Sequence, residues 1–360
     1  GGVTSSPFSS DVMMTPIVVQ LDDDNCDGKI TEQDIPEILF VTFAGGAYTG
    51  IGTLHAISIV DKKVVDKFSV PGVVNAMSEL AGGNIDGKPG NEVVGCSGST
   101  VTAFDGKGNV LWTSPSIACR APALADLEGD GDVEVIVEGG ILNGKDATLL
   151  ADSTHPSSWS AVGDLDKDGK PEIVGINPST GSRRMHIWRV KAGAPGYEVV
   201  RQPFDIHETA PSNPCGHTAG GGPPTIADFN GDGTPDVALA GSIAYVIFDG
   251  KKLMDPTVAS KDTLLWQSIT QDCSSAATGS SVFDFNGDGK AEAVYSDELY
   301  LRVYDGATGN ELWKTCNTTG TLIEYPVVAD VDNDGQADIV VASNAYAFDC
   351  GGTKQSGIRV

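Results

Sequence analysis

The hexapeptide DFNGDG stands twice in this 360-residue chain, at 228–233 and 284–289, and its variants DLEGDG, DLDKDG and DVDNDG occupy 126–131, 164–169 and 330–335. Each copy lies between two short apolar runs, as in ALADLEGDGDVEVIV, AVGDLDKDGKPEIVG and TIADFNGDGTPDVAL. A looser copy, ELAGGNIDGKPGNEVVG, covers 79–95, and an expanded one, VVQLDDDNCDGKITEQDIPEILF, covers 18–40. Such self-similarity constrains the architecture more than composition does, because one short unit cannot bury its own apolar face and must stack on its neighbours. Seven copies, with Gly28, Gly87, Gly131, Gly169, Gly233, Gly289 and Gly335 at the matching turn, predict seven units.

A second signature falls between the copies: TVTAFDGKGNVLW (100–112), AYVIFDGKKL…LLW (244–266) and LYLRVYDGATGNELW (299–313). Alternating apolar and polar residues that turn at Asp-Gly and re-enter an apolar run read as a hairpin. Each unit therefore supplies about four short strands, two around the acidic loop and two around the Asp-Gly turn. Four-stranded units repeated around an axis make a β-propeller. The expectation is an all-β chain, a single seven-bladed β-propeller over 1–360 with an acidic loop between strands 1 and 2 of each four-stranded blade. These loops fall near 22–37, 82–92, 126–134, 164–172, 228–236, 284–292 and 330–338. An open array would expose its end strands, so the ring is expected to close between the first and last units. Trp112, Trp266 and Trp313 hold repeated positions and are expected in the core.

The loop DLDKDGKPE shows the chemistry. Asp164, Asp166 and Asp168 recur at alternate positions, Gly169 permits a bend, Lys170 offers a carbonyl and Glu172 closes the set. Oxygen donors so spaced suit calcium, which takes about six to eight hard ligands, whereas magnesium keeps most of its waters. The same pattern gives Asp126, Glu128, Asp130 and Glu134; Asp228, Asn230, Asp232 and Asp236; Asp284, Asn286, Asp288 and Glu292; and Asp330, Asp332, Asp334 and Asp338. The first copy offers Asp23, Asn25, Asp27 and Asp34 at EF-hand spacing, with Asp34 at the twelfth position in place of the usual glutamate. The second has only Asn84 and Asp86, with Glu92 displaced by two residues from the glycine-based alignment, and is expected to bind weakly or not at all. A lone loop of this kind reads equally well as an Asp/Asn-Gly turn; regular repetition is what favours calcium, about five to six ions.

The formal charge of −26, from 49 acidic and 23 basic side chains, argues against nucleic acid, which needs a basic surface. The sequence has no long apolar run for a membrane span. The sequence starts at Gly1 without a signal peptide, which reads either as the mature form of an exported protein or as a trimmed chain. SGIRV ends in a strand-like pattern, so the natural chain is expected to continue past residue 360. Seven cysteines without a C-x-x-C pair fit an exported, disulfide-bearing protein, secreted or at the cell surface. Cys26 lies in the first acidic loop and Cys350 after the third-strand pattern of the last unit, so both are expected on one face of adjacent blades and paired. Cys96 and Cys119 are expected to pair on the opposite face; Cys215, Cys273 and Cys316 have no assignable pairing.

The loop D-x-[DN]-x-D-G-x-x-[DE] between two apolar strands, repeated through nearly the whole chain, resembles the FG-GAP/VCBS repeat of the integrin α-subunit head and of bacterial secreted propellers. The resemblance implies structural calcium loops on one face and a protein or carbohydrate partner met on the other. The largest departure from the repeat is the connection 191–223, holding His207, Glu208, Cys215 and His217. Its length marks it as a candidate ligand-binding segment, although its spacing matches no standard zinc pattern such as H-E-x-x-H. Arg183 and Arg184 form a rare basic spot that could bind a carboxylate, with an exposed hairpin the preferred reading. His155 and Trp159 could stack on a sugar ring, with blade packing the preferred reading of Trp159, and Asn317-Thr318-Thr319 is a glycosylation sequon. Three classes stay open: an adhesion or recognition module with no catalytic residues; a secreted polysaccharide lyase or hydrolase using the 191–223 loop; and a cofactor-bearing propeller, which the hairpins resemble but the acidic loops do not.

Overall fold

In the computed structural model the described residues are 14–44, 49–60, 63–152, 155–177, 184–191, 196–206, 221–241, 244–273, 275, 277–321, 324–329, 336–343, 349–352, 354–355 and 357–360. They form seven sheets, six of four strands and one of three, and in every sheet each strand neighbours its successor in the chain. Two compact units, 1–160 and 161–360, divide them.

The first unit contains sheet one (Ile17–Val19, Glu37–Thr42, Ile51–Val60, Lys63–Asn75), sheet two (Leu80–Gly83, Glu92–Cys96, Val101–Phe104, Val110–Thr113) and sheet three (Ala123–Ala125, Glu134–Val137, Gly140–Asn143, Leu149–Asp152). Its core draws on neighbouring sheets: Val94, Val101 and Ala103 of sheet two pack with Val135, Val137 and Leu142 of sheet three. The Cys96–Cys119 disulfide lies in the same cluster, with Cα atoms 5.5 Å apart.

Sheet four (Trp159–Gly163, Glu172–Asn177, Arg184–Val190, Tyr197–Asp205) starts at the border of the two units. The second unit continues with sheet five (Thr225–Ala227, Asp236–Ala240, Ala244–Phe248, Leu264–Ile269), sheet six (Ser280–Phe283, Glu292–Ser296, Tyr300–Tyr304, Glu311–Cys316) and sheet seven (Val327–Ala329, Asp338–Ser343, Gly357–Arg359). Every residue of Asp236–Ala240 and Ala244–Phe248 is buried. That is the environment in which a strand reads as a continuous apolar run rather than an alternating one. Tyr245 stacks on Tyr295 at 5.0 Å and on Tyr304 at 5.9 Å, so rings from sheets five and six share one core.

The antiparallel order places the acidic loop, between strands one and two, at the same end of each sheet as the turn between strands three and four. Sheet six shows the register, with Phe283 opposite Glu292 and Tyr300 opposite Cys316. The Asp-Gly turns are built for close packing at this end. A Cβ on Gly306 would meet the Ala291 carbonyl oxygen at 2.0 Å and that of Phe229, in sheet five, at 2.9 Å. A recurrent tryptophan reaches the same place: Trp266 Nε1 donates to Gly306 O at 2.6 Å, and Trp112 Nε1 to Gly144 O at 2.7 Å. Trp313 departs from the expected core position. It is 49% exposed.

The cysteines require a second correction. Cys26 is exposed and unbonded, and Cys350 is unbonded beside Cys316, whose Sγ lies 3.7 Å from Cys350 O. The chain returning along sheet seven brings Cys350 to the end of the Glu311–Cys316 strand, so the expected Cys26–Cys350 bridge is not formed. Cys273 is disulfide-bonded. Asn317 is fully buried, with Nδ2 donating to Ser296 Oγ at 3.0 Å, so the sequon is inaccessible in the folded chain.

Candidate functional site

The acidic loops share one hydrogen-bonded frame. The first acid accepts two or three amide hydrogens from the loop that follows it: Asp284 takes those of Gly287 (2.6 Å), Asp288 (3.1 Å) and Gly289 (2.9 Å), and Asp228 those of Gly231, Asp232 and Gly233. Asp126 and Asp164 do the same. Gly131, Gly169, Gly233 and Gly289 hold φ between +82° and +88°, the left-handed region where a side chain would be strained. The amides hold Asp126 and Asp284 below the ordinary carboxylate range, chiefly through Gly131 N–H and Gly289 N–H.

The closing acid sits at the start of the second strand and turns back to the end of the first. Glu134 accepts from Leu127 N at 2.9 Å, Glu172 from Leu165 N at 2.9 Å, Asp236 from Phe229 N at 3.1 Å and Glu292 from Phe285 N at 2.8 Å. Glu92 accepts from Ile85 N at 2.9 Å in the same way, seven residues on. The second loop therefore has its closing acid in register. Counting from the strand end, the position of Asp130, Asp168, Asp232 and Asp288 is taken by Lys88, whose Nζ lies 2.6 Å from Asp86.

Sheet one holds two acidic sets. Asp23 accepts from Asp27 N (3.0 Å) and Gly28 N (2.8 Å), and Asp34 from Asn25 N (3.3 Å) and Thr31 N (2.8 Å), so the EF-hand-spaced residues form their own loop. The closing acid of the sheet itself is Glu37, which accepts from Leu21 N at 2.7 Å. Asp22, Asp24 and Glu37 offer oxygens within 4.8 Å of one another, as do Asp164, Asp166 and Glu172. Glu37, Asp22 and Asp24 were not among the sequence candidates. Leu21, standing where Ile85, Leu127, Leu165, Phe229 and Phe285 stand, was the signal for Glu37.

Both clusters can hold a cation, and each already meets one from the chain. Lys67 Nζ lies 2.8 Å from Asp22, 2.9 Å from Asp24 and 3.4 Å from Glu37. Arg189 reaches Asp166 at 3.2 Å, Glu172 at 3.3 Å and Asp168 at 3.5 Å, and its Nε lies 3.0 Å from Glu198. The buried closing acids resist ionisation. Burial, then Glu128 and Asp126, push Glu134 up to about 7, and burial with Asp249 pushes Asp236 up to about 6. Because these folded-state values exceed the ordinary 4.5 and 3.8, the folded chain holds extra protons between them. In chelator, stability is therefore expected to fall as pH rises from about 4 to about 7, and a bound divalent cation should flatten that slope. Thermal melts across this range with and without metal check it; a chelated protein that gains stability toward pH 7 would contradict the assignment.

Asp338 starts the second strand of sheet seven. Asp330, Asp332 and Asp334 lie outside the described residues, as do His207, Glu208, Cys215, His217 and Arg183. Arg184 is an exposed strand residue. Trp159 is 1% exposed and offers no sugar-stacking face.

Repeated antiparallel four-stranded sheets, each with an acidic loop after its first strand, define a propeller-like all-β protein. The family model of the FG-GAP-like repeat matches residues 284–341, which span the sixth acidic loop and continue into sheet seven. That segment thus carries an FG-GAP-like repeat, and the fold of the chain is propeller-like. The crystal structure of the V. cholerae biofilm matrix protein Bap1 is similar, at 19% identity and a TM-score of 0.63, covering 99% of this chain and 89% of that one. That of BBS1N in complex with ARL6DN has 10% identity and a TM-score of 0.55 over 93% and 91% of the two chains. The Bacillus licheniformis rhamnogalacturonan lyase is a looser likeness, at 14% identity and a TM-score of 0.46 over 92% and 74%. At these identities the likenesses show the fold alone. No curated protein matches the sequence significantly.

Proposed function

We propose that this protein is a calcium-stabilised, exported seven-bladed propeller whose acidic loops are structural and whose opposite end recognises a protein or glycan. The observation that carries this reading is the shared hydrogen-bonded frame, in which the closing acid ties the second strand to the end of the first in six successive sheets. Groups repeated in every sheet suit a clamp. A catalytic centre needs one constellation of unlike groups.

Calcium is assigned to the loops of sheets three to six, to the Asp23–Asp34 loop, and to Asp330, Asp332, Asp334 and Asp338 of the seventh. In sheet four the ion would displace Arg189 toward Glu198. Lys88 and Lys67 take its place in the second loop and at Glu37. Export agrees with the Cys96–Cys119 disulfide and with the similarity to a V. cholerae biofilm matrix protein. No helix among the described residues is long and apolar enough to cross a membrane.

A glycan and matrix-protein binding array, run with and without calcium, tests the reading on the wild type and a His207→Ala/His217→Ala variant. The expected result is calcium-dependent binding without turnover. Release of a cleaved product by the wild type, lost in the double variant, would overturn it in favour of a lyase or hydrolase.

A further inference from the structure

The first unit contains a cavity of about 310 Å³ at the end of its sheets opposite the acidic loops, lined in part by Asn75, Met77, Ser78, Cys119 and Arg120. Asn75 ends the last strand of sheet one and Ser78 precedes the first strand of sheet two. Cys119 bridges to Gly98, in the turn after the second strand of sheet two. Three adjacent connections thus converge where the repeat places no acid.

Arg120 is the unusual group. Its guanidinium carbon lies 4.8 Å from the centre of the Trp159 ring, and the side chain makes no hydrogen bond or ion pair among the described residues. Other partly buried cations are paired: Lys67 with three carboxylates, Arg189 with four, and Arg302 with Asp297 and Glu311. Arg201 gives its hydrogens to the carbonyls of Asp255 and Val258. Glu138 and Glu79 act on Arg120 only through their field, while burial pulls the guanidinium below its ordinary value. Beneath it, the buried Trp159 Nε1 also lacks a hydrogen-bond partner. In a chain of net charge −26, a partly buried guanidinium that finds no carboxylate is a donor kept for something else.

We propose that this cavity binds a carboxylate-bearing sugar ring, a uronate, with its carboxylate on the Arg120 fork. The planar guanidinium matches a carboxylate in two parallel hydrogen bonds. Asn75 Nδ2 donates one hydrogen to Thr49 O and keeps the other for a hydroxyl. Ser78 Oγ accepts from Cys96 N and keeps a second lone pair. Met77 and the Cys96–Cys119 disulfide supply an apolar wall for the ring's C–H face. The volume is at the small end of ligand sites and suits one ring. The proposal rests on the recognition reading above and names the chemistry of its ligand.

Calorimetry or NMR titration of the calcium-loaded protein with glucuronate and galacturonate tests it, with glucose and methyl glucuronate ester as neutral controls. Both uronates are expected to bind, with the neutral sugars weaker by about ten- to a hundred-fold, the loss of one charge-assisted pair. Arg120→Gln should lose a similar factor, Arg120→Lys part of it, and Glu138→Gln none. A uronate-ended oligosaccharide binding as the free sugar does supports a chain-end site. Wild type that binds ester and acid alike, or that binds no uronate, overturns the proposal, as does inorganic phosphate displacing uronate at equal concentration. Should Arg120→Gln fail to fold, the wild-type comparison of acid with ester decides alone. Array binding of a protein or neutral glycan without uronate binding defeats this inference and leaves the recognition reading standing.

Discussion

Chelation of divalent cations is expected to lower the melting temperature by about 10 °C or more, with calcium restoring it and magnesium at equal concentration restoring little. An ion at a hundred-fold excess over its Kd stabilises the folded state by about 2.7 kcal/mol per site. A unit of this size shifts by roughly 2–4 °C per kcal/mol. Sheets three to six each present a first acid aligned by loop amides and a closing acid fixed to the strand end, so several sites act together. Without the ion the closing acids carry the cost of burial, and a smaller cost of like charge, into the folded state, as the raised Glu134 and Asp236 show. Magnesium is disfavoured because it keeps most of its waters and takes few carboxylates, whereas each of these loops offers four side-chain oxygen donors in sequence. Scanning calorimetry in chelator, calcium and magnesium makes the measurement. A melting temperature that chelation leaves unmoved would remove calcium from the account.

Much of this architecture was legible because its signals are local. The period of the acidic loop gave the number of sheets. The alternation around Asp105-Gly106 and Asp305-Gly306 gave the hairpins Val101–Thr113 and Tyr300–Cys316. In sheet five the same signature opens into the short helix Gly250–Met254 before the last strand, an insertion visible only as extra length. The ligand sets were less legible because alignment on the glycine follows backbone strain, whereas the structure is registered on the strand end. The closing acid bonds to the first apolar residue's amide, so the count runs from Leu21 and Ile85. From there Glu37 and Glu92 fall into place. Lys67 was beyond local reasoning altogether, since it meets Asp22 from 45 residues away. The Cys26–Cys350 expectation failed for a related reason: position in the repeat does not give the local path of the chain, which sets Cys350 beside Cys316.

Lys67→Met is expected to destabilise the chelated protein by roughly 3 kcal/mol, about 6–12 °C, and to make the Asp22, Asp24 and Glu37 set of the first sheet calcium-dependent where it was not before. In the wild type the ammonium joins Asp22, Asp24 and Glu37, and the Glu37 side chain is 1% exposed. Glu37 also receives Leu21 N and Ser58 Oγ, so it is fixed in position and cannot turn to water when its counter-charge is lost. Deleting one partner of a buried ion pair leaves the other charge uncompensated, typically at about 3–5 kcal/mol, and the partial exposure of Asp22 and Asp24 places this case at the lower end. The three oxygens stay within 4.8 Å of one another, a donor set of the kind a hard cation takes. Calcium should therefore raise the melting temperature of Lys67→Met by more than it raises that of the wild type, while Lys67→Arg keeps a side-chain cation and behaves as the wild type does. The four melts, two proteins each with chelator and with calcium, separate an internal counter-ion from an ordinary surface lysine. Equal calcium increments in both proteins, or a chelated variant as stable as the chelated wild type, would show that Lys67 does not occupy a metal's place.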